Sequence, residues 1–162
     1  MELTVQLAGF FAAHGIWCVV DGGPLVPLVG FETADGKRQM TRFAAPRVEQ
    51  GVQAGLDWLS QNPKSALRAA FVYDGFVTLS TGKLDALLVE IRDYGPPCRS
   101  LKMAVPYRPA TESRSFAVYR TKFLTTDISK PDLELLSAAF FRGVESHEKA
   151  APVWSKWFDE QL

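Results

Sequence analysis

The sequence predicts an α+β fold in which three to four helices pack on a mostly antiparallel sheet of about six to eight strands. A chain of 162 residues, 47% apolar and 22% charged, has the size and composition of one globular domain. Short apolar runs are separated by glycine-containing turns of the hairpin type, and no βαβ crossover spacing dominates. Because no low-complexity linker interrupts the chain, residues 1–162 are expected to form a single domain.

The spacing of apolar residues predicts four helices. The first covers residues 3–13 and ends at Gly15, where His14 is expected to cap the helix before a strand over 16–20. The other three helices are expected at 46–61, 129–147 and 151–162. Trp154 and Trp157 lie on one face of the last helix, which therefore either folds back onto the sheet of its own chain or forms a dimer contact. The first is favoured, because Ala151-Pro152 is expected to mark the bend that precedes this helix.

The strands are predicted from alternating apolar residues between turn signals. Asp35-Gly36, Asp74-Gly75 and the "TGK" of 81–83 are typical hairpin turns. The order helix, strand, Asp-Gly, strand, Gly-Lys turn, strand occurs in the first and in the second third of the chain. This order suggests a duplicated α-β-β-β unit. The alternative is that both thirds share a common helix-plus-meander arrangement.

Four carboxylates in the segment 71–95 raise the question of an acidic site: Asp74, Asp85, Glu90 and Asp93. Alternation along the strand over 84–94 places Asp85 and Asp93 at its two ends, and Glu90 on the opposite face from both. Asp74 suits a turn residue beside Gly75. The favoured interpretation is therefore a structural one. A hydrolase or transferase site would instead need two of these carboxylates to converge across a cleft.

One segment, 99–122, has a strong excess of basic residues, with Glu112 as its only acid. Aromatic side chains are interleaved with these bases, a combination found in protein interfaces and in nucleic-acid grooves. A solvated, basic sheet edge is the third interpretation. Eighteen basic and eighteen acidic residues give no net charge, which favours a protein partner over nucleic acid. The candidate binding residues are Arg99, Arg108, Arg114, Tyr119, Arg120 and Lys122.

The sequence lacks the residue patterns that several common catalytic and binding sites require. Glycine-rich phosphate loops, the G-x-S-x-G elbow and the His-Glu-x-x-His zinc motif are absent from the sequence. With only two cysteines and two histidines, far apart, no structural zinc site and no cofactor are expected. Cys18 and Cys98 show no disulfide spacing and are expected to be free thiols of a cytoplasmic protein. The apolar N-terminal stretch contains Gln6 and His14 and does not resemble a membrane span.

These patterns favour a small cytoplasmic, non-enzymatic binding protein that engages a protein partner, on the scale of bacterial immunity and adaptor proteins. We expect it to act as a monomer or homodimer without a membrane. Two other functions stay open at this point. One is a hydrolase or transferase that uses the carboxylates of 71–95. The other is a nucleic-acid binder that uses 99–122.

Overall fold

The computed structural model describes residues 1–80 and 82–161, and these form four helices and one eight-stranded sheet. The predicted α+β class, with helices on a mostly antiparallel sheet, is confirmed. The helices are α1 (Glu2–Val19), α2 (Val48–Gln61), α3 (Leu133–Glu145) and α4 (Ala150–Trp157). The strands are β1 (Leu28–Glu32), β2 (Arg38–Arg42), β3 (Arg68–Leu79), β4 (Gly82–Asp93), β5 (Arg99–Arg108), β6 (Ala117–Tyr119), β7 (Lys122–Thr126) and β8 (Phe158–Asp159).

The strands follow the order β2-β1-β3-β4-β5-β6-β8, and β7 pairs with a different stretch of β5 from the one that pairs with β6. All pairings are antiparallel except that of β6 with β8. The centre of the sheet is the long hairpin of β3 and β4, in register from Arg68 opposite Asp93 to Leu79 opposite Gly82. The β2 strand is one edge of the sheet, and this places its basic side chains next to solvent.

Alternate residues of β3 belong to two separate cores, one on each face of the sheet. Ala70 and Val72 are buried against α1, whereas Phe71 and Tyr73 are buried on the α2 side. On the first face, α1 lies between the sheet and the helices α3 and α4. A helix enclosed in this way is apolar on most of its circumference, which explains the hydrophobic N-terminal stretch.

The first helix is longer than predicted, because it continues through Gly15 to Val19. Residues 16–20 are therefore not a strand, and His14 lies within the helix rather than capping its end. Gly15 is required for close packing: a β-carbon there would lie 2.7 Å from Leu87 Cδ1 and 3.2 Å from Val72 Cγ1. The glycine thus lets α1 approach the sheet.

The predicted turn at Asp74-Gly75 is absent, since both residues lie inside β3, where Gly75 pairs with Ala86. With residues 16–19 in α1, the first third of the chain is helix-strand-strand. The structure consequently does not reproduce the hypothetical α-β-β-β duplication. What the two thirds share is a helix and an antiparallel hairpin, as the alternative interpretation holds.

The second helix ends where predicted, with Asn62 in the left-handed conformation at its C-cap. Gly51 and Gly55 are buried on its inner side, whereas the apolar Val48 at its start is exposed. A β-carbon on Gly55 would overlap the ring of Phe71. The helix therefore packs on the sheet through its glycines and the neighbouring Trp58, rather than through an aliphatic face alone.

The C-terminal helix packs on its own chain. Trp154 is buried, and its ring centroid lies 6.1 Å from that of Phe140 and 6.4 Å from that of Phe141. The bend between α3 and α4 lies at residues 146–149. Pro152, which was expected to mark this bend, is instead in the first turn of α4, where proline is tolerated.

Candidate functional site

Two of the four carboxylates, Asp74 and Asp85, are diagonal neighbours on the α1 side of the β3–β4 hairpin. Asp74 Oδ1 accepts hydrogen bonds from the Tyr107 hydroxyl at 2.9 Å and from the Gly75 amide at 3.1 Å. Burial raises the pKa of Asp74 against the effect of these hydrogen bonds, and the nearby Asp85 adds to the rise. Asp74 is thus an acceptor that is already occupied by groups of its own chain.

The other two carboxylates lie elsewhere. Glu90 is on the α2 side of the sheet, 2.7 Å from Lys102 Nζ, and accepts a hydrogen bond from the Tyr73 hydroxyl at 3.1 Å. Asp93 is at the far end of β4, where Thr4 Oγ1 donates to it at 2.8 Å. Burial acts to raise the pKa of Asp93, but hydrogen bonds from Thr4 and the Gly95 amide outweigh it and hold that pKa below its ordinary value. The four carboxylates therefore do not form one site.

The basic segment is also divided by the fold. Arg99 and Arg108 are at opposite ends of β5, about 30 Å apart at 3.3 Å per residue. Arg108 donates to the Ser115 carbonyl at 3.2 Å and to the hydroxyl of the buried Tyr119 at 3.1 Å. Arg108 and Tyr119 thus have structural partners.

The remaining predicted binding residues have separate surroundings. Arg120 is exposed and lies 3.4 Å from Glu160, and half-buried Lys122 begins β7 opposite Ala104. Arg114 lies in the loop between β5 and β6, held by a turn in which the Thr111 amide donates to the Arg114 carbonyl at 2.8 Å. Of the six residues, Arg99 borders two concave surfaces of about 370 and 320 Å³, whereas Arg114 lines a larger one of about 600 Å³.

That surface, here called the loop groove, has a volume of about 600 Å³ and lies between the β5–β6 loop, the end of α1 and α4. Phe116 is its buried floor, and its ring is 6.5 Å from that of Trp157. The groove is lined by Trp17, Val20, Asp21, the segment 110–116, Val153, Lys156 and Trp157. Trp17 is one of the large apolar side chains that remain exposed.

A second group of polar residues was not predicted from the sequence. His14 of α1 and His147, in the turn before α4, are hydrogen-bonded with 3.1 Å between Nδ1 and Nε2. Arg42 of the edge strand β2 places its Nη2 atom 3.3 Å from His14 Nε2. These three residues are called the histidine cluster below. Phe10 stacks on the His147 ring at 4.5 Å between centroids, and Trp17 borders His14 at 5.6 Å.

Both imidazoles of the cluster are in an environment that disfavours their protonation. Burial, followed by the charges of His147 and Arg42, lowers the pKa of His14 to about 4. Burial also lowers the pKa of His147, and Arg38 and Lys149 contribute to that shift. Both rings are consequently neutral at pH 7.

No local sequence pattern could have revealed the histidine cluster, because His14 and His147 are 133 residues apart. The one sequence feature that bears on it is the length of α1. If the helix continues past Gly15, His14 lies inside the helix and packs against other elements instead of capping the helix end. The position of His147 against it depends on how α3 returns over α1. That return is a tertiary contact without a local signature.

Within residues 1–80 and 82–161, no three histidine, cysteine, aspartate or glutamate side chains come together as a metal site would require. None of the helices in this part of the chain has both the length and the hydropathy of a membrane span. Comparisons of the chain with protein-family models, curated proteins and solved structures give no match.

Proposed function

We propose that this protein is a non-enzymatic, cytoplasmic binding protein and that a segment of a protein partner docks in the loop groove. The observation that carries the proposal is the presence of Trp17, Trp157 and Arg114 around one groove. Tryptophan and arginine are enriched among the residues that dominate binding energy in protein interfaces. A cytoplasmic location agrees with the free thiols of Cys18 and Cys98.

The groove has a rigid base and an accessible rim, which suits recognition without large rearrangement. Arg108 holds the base of the β5–β6 loop through Ser115 and Tyr119. Arg114 itself is exposed, and its guanidinium has no carboxylate within 4 Å among the described residues. The aromatic floor can take one large apolar side chain of the partner while Arg114 contacts a flanking acidic residue.

The charges around the groove favour a polypeptide over nucleic acid. Arg114 and Lys156 are balanced by Asp21 and Glu112, so the groove lacks the excess of positive charge that follows a phosphate backbone. A peptide segment with charges of both signs beside an apolar anchor fits this mixture.

The enzyme alternative has less support, because Glu90 and Asp93 lie away from the neighbouring pair Asp74 and Asp85. In addition, Asp74, Glu90 and Asp93 already have intramolecular partners.

The proposal can be tested with a photo-crosslinking residue at Ser113 in the groove wall and, as the matched control, at Ser60 on the exposed side of α2. We expect a discrete partner to be captured in cells from Ser113 and not from Ser60. The purified partner should then bind the wild-type chain with saturation.

Arg114→Glu should weaken binding of the purified partner at least tenfold, while Arg99→Glu, an equally exposed arginine at the other end of β5, should leave it unchanged. Loss of binding with Arg99→Glu and not with Arg114→Glu would place the contact away from the groove and overturn the proposal. Capture of nucleic acid in place of a protein would also contradict it.

A further inference from the structure

We propose that the histidine cluster binds a phosphomonoester dianion between the Nε2–H of His14 and the guanidinium of Arg42. Trp17 borders both His14 and the loop groove, but none of the three residues of the histidine cluster lines that groove. This site does not depend on the function proposed for the groove. Its ligand class follows from three properties of the cluster: the direction of its hydrogen bonds, its excess of positive charge and the absence of a protein acceptor between its donors.

The hydrogen-bond network fixes the tautomer of both rings. The Ala150 amide donates to His147 Nδ1 at 3.2 Å, so that nitrogen carries no proton. A neutral His147 therefore has its proton on Nε2 and donates it to His14 Nδ1. The proton of His14 must then be on Nε2. This N–H faces Arg42 Nη2, also a donor, at 3.3 Å.

These two donors face each other, and within residues 1–80 and 82–161 neither has a hydrogen-bond acceptor. An oxyanion oxygen placed beside both would accept one hydrogen bond from the imidazole and one from the guanidinium. Water would screen its attraction to the guanidinium less at this partly buried site than in open solution. Arginine suits this task because its planar fork matches the oxygen spacing of phosphate. The cluster is open to ligand from the β2 edge, where Arg42 is exposed.

The charged side chains that act on the two rings of the histidine cluster, Arg38, Arg42 and Lys149, are all basic. Arg42 and Arg38 approach from β2, and Lys149 approaches from the turn before α4, with its Nζ 5.6 Å from the Trp17 ring centroid. Arg38 pairs with Glu32 at 2.9 Å, a carboxylate that it shares with Arg68, also at 2.9 Å. Among the described residues, Arg42 and Lys149 have no carboxylate within 4 Å.

Two uncompensated positive charges match the charge of about −1.5 to −2 that a phosphomonoester carries at pH 7. A carboxylate or a phosphodiester brings only one negative charge. The cluster should therefore prefer a terminal phosphate group, whether it belongs to a small metabolite or to a phosphorylated side chain.

The experiment uses inorganic phosphate as the first probe, with the imidazole nitrogen and proton shifts of His14 and His147 recorded by NMR and affinity measured by calorimetry. We expect saturable shifts of both rings in the wild-type chain. Arg42→Gln should weaken binding at least tenfold, since charged hydrogen bonds are the strong ones. Arg99→Gln, at an exposed arginine that begins β5 and lies outside both the histidine cluster and the loop groove, is the matched control and should bind as the wild type does.

Further probes separate a phosphomonoester from a phosphodiester. O-phosphoserine should bind as tightly as inorganic phosphate. Dimethyl phosphate, a monoanionic diester, should bind at least tenfold more weakly.

Sulfate tests the pH dependence of binding. It remains a dianion between pH 5 and 7, so any change in its affinity over that range comes from titration of the protein. Its affinity should rise as the pH falls from 7 to 5, because a bound dianion raises the pKa of His14 and favours proton uptake. His14→Gln should flatten this dependence.

The proposal is overturned if phosphate shifts neither imidazole, if Arg42→Gln binds like the wild type, or if dimethyl phosphate binds as tightly as phosphate. Thermal melting of each variant shows whether it is folded. If Arg42→Gln does not fold, Arg42→Lys replaces it. This variant keeps the positive charge but loses the planar fork, and it should bind phosphate more weakly than the wild type.

Discussion

Gly9 of α1 lies directly against the carbonyl group of Phe140 in α3, so close that a β-carbon at residue 9 would overlap the oxygen. The contact is reciprocal, because a β-carbon on Gly143 of α3 would overlap the carbonyl oxygen of Gln6. The two helices therefore touch through their backbones. This leaves α1 enclosed between the sheet and α3 without any side chain separating the helices at that point.

Replacing Gly9 by alanine should destabilise the protein. The change favours an isolated helix by about 1 kcal/mol, but the new methyl group meets backbone that has no rotamer by which to move away. We expect a net loss of about 1–3 kcal/mol in the free energy of unfolding, measured by urea denaturation. Gly23→Ala is the control, since its β-carbon would make an ordinary 3.5 Å contact with the Cys18 carbonyl. Equal stability of the Gly9→Ala variant and the wild type would mean that the helices are farther apart.

Trp154 should be a major contributor to stability, and its indole N–H should not. The side chain is buried, and Nε1 has no hydrogen-bond partner among the described residues. Trp154→Ala should cost about 3–5 kcal/mol, whereas Trp154→Phe should cost much less because it also removes an unsatisfied donor. Denaturation of both variants, with the exposed Trp17→Ala as the control, tests the difference. Similar losses for the alanine and phenylalanine variants would contradict this packing.

Acid should destabilise the protein in part through His14. Its pKa is about 4 in the folded chain against an ordinary value of 6.5. Between these values the unfolded chain binds a proton that the folded chain does not, so stability falls as the pH falls from 6.5 to 4. In His14→Gln this contribution is missing, and the melting temperature should depend less on pH in that window. Parallel curves for the two proteins from pH 7.5 to 4.5 would contradict the lowered pKa.

Asp74 should tolerate asparagine if it is a structural acceptor. Burial raises its pKa, which means that the folded chain disfavours the ionised form and loses stability as the pH rises through that pKa. Asparagine keeps an oxygen for Tyr107 and Gly75 without the charge, so Asp74→Asn should be as stable as the wild type at pH 7, or more so. Asp74→Ala leaves the Tyr107 hydroxyl unpaired and should cost about 1–3 kcal/mol. Calorimetric melting at pH 7 distinguishes them, and a destabilised asparagine variant would argue for a required charge.

The two cysteines should react at different rates with a thiol reagent. Cys98 is exposed, whereas Cys18 is half-buried in α1 and burial raises its pKa. Because the thiolate is the reactive form, we expect Cys98 to react at least tenfold faster at pH 7.5. Cys98→Ser should leave only the slow phase, and Cys18→Ser only the fast one. Two equally fast phases would show that Cys18 is accessible.

The fold class was predictable because it depends on features that are local in sequence. The Asp35-Gly36 turn and the alternation in β4 are decided by residues that are close together in the chain. The end of α1 was not predictable, because Gly15 has the same sequence signature as a capping glycine. What decides its role is the approach of Leu87 and Val72, which are more than fifty residues away along the printed sequence.

The candidate sites were less predictable than the fold for the same reason. The segment 99–122 does have an excess of basic residues. However, the extended strand β5 places Arg99 far from Arg114. Counting the basic residues along the segment therefore combines side chains that lie on two distant surfaces. The histidine cluster joins residues from α1, β2 and the turn before α4. The three side chains are far apart in the sequence, and they come together only because α3 packs back over α1.

The division of β3 between two cores limits which changes of length the chain can accept. Inserting one residue between Ala70 and Phe71 would turn every following side chain of the strand to the opposite face, placing Phe71 in the core on the α1 side and Val72 in the core on the α2 side. The β1–β2 turn, residues 33–37, and the β5–β6 loop have exposed residues and no such alternation to preserve. Insertions and deletions in natural variants of this chain should therefore accumulate in these loops and be excluded from β3.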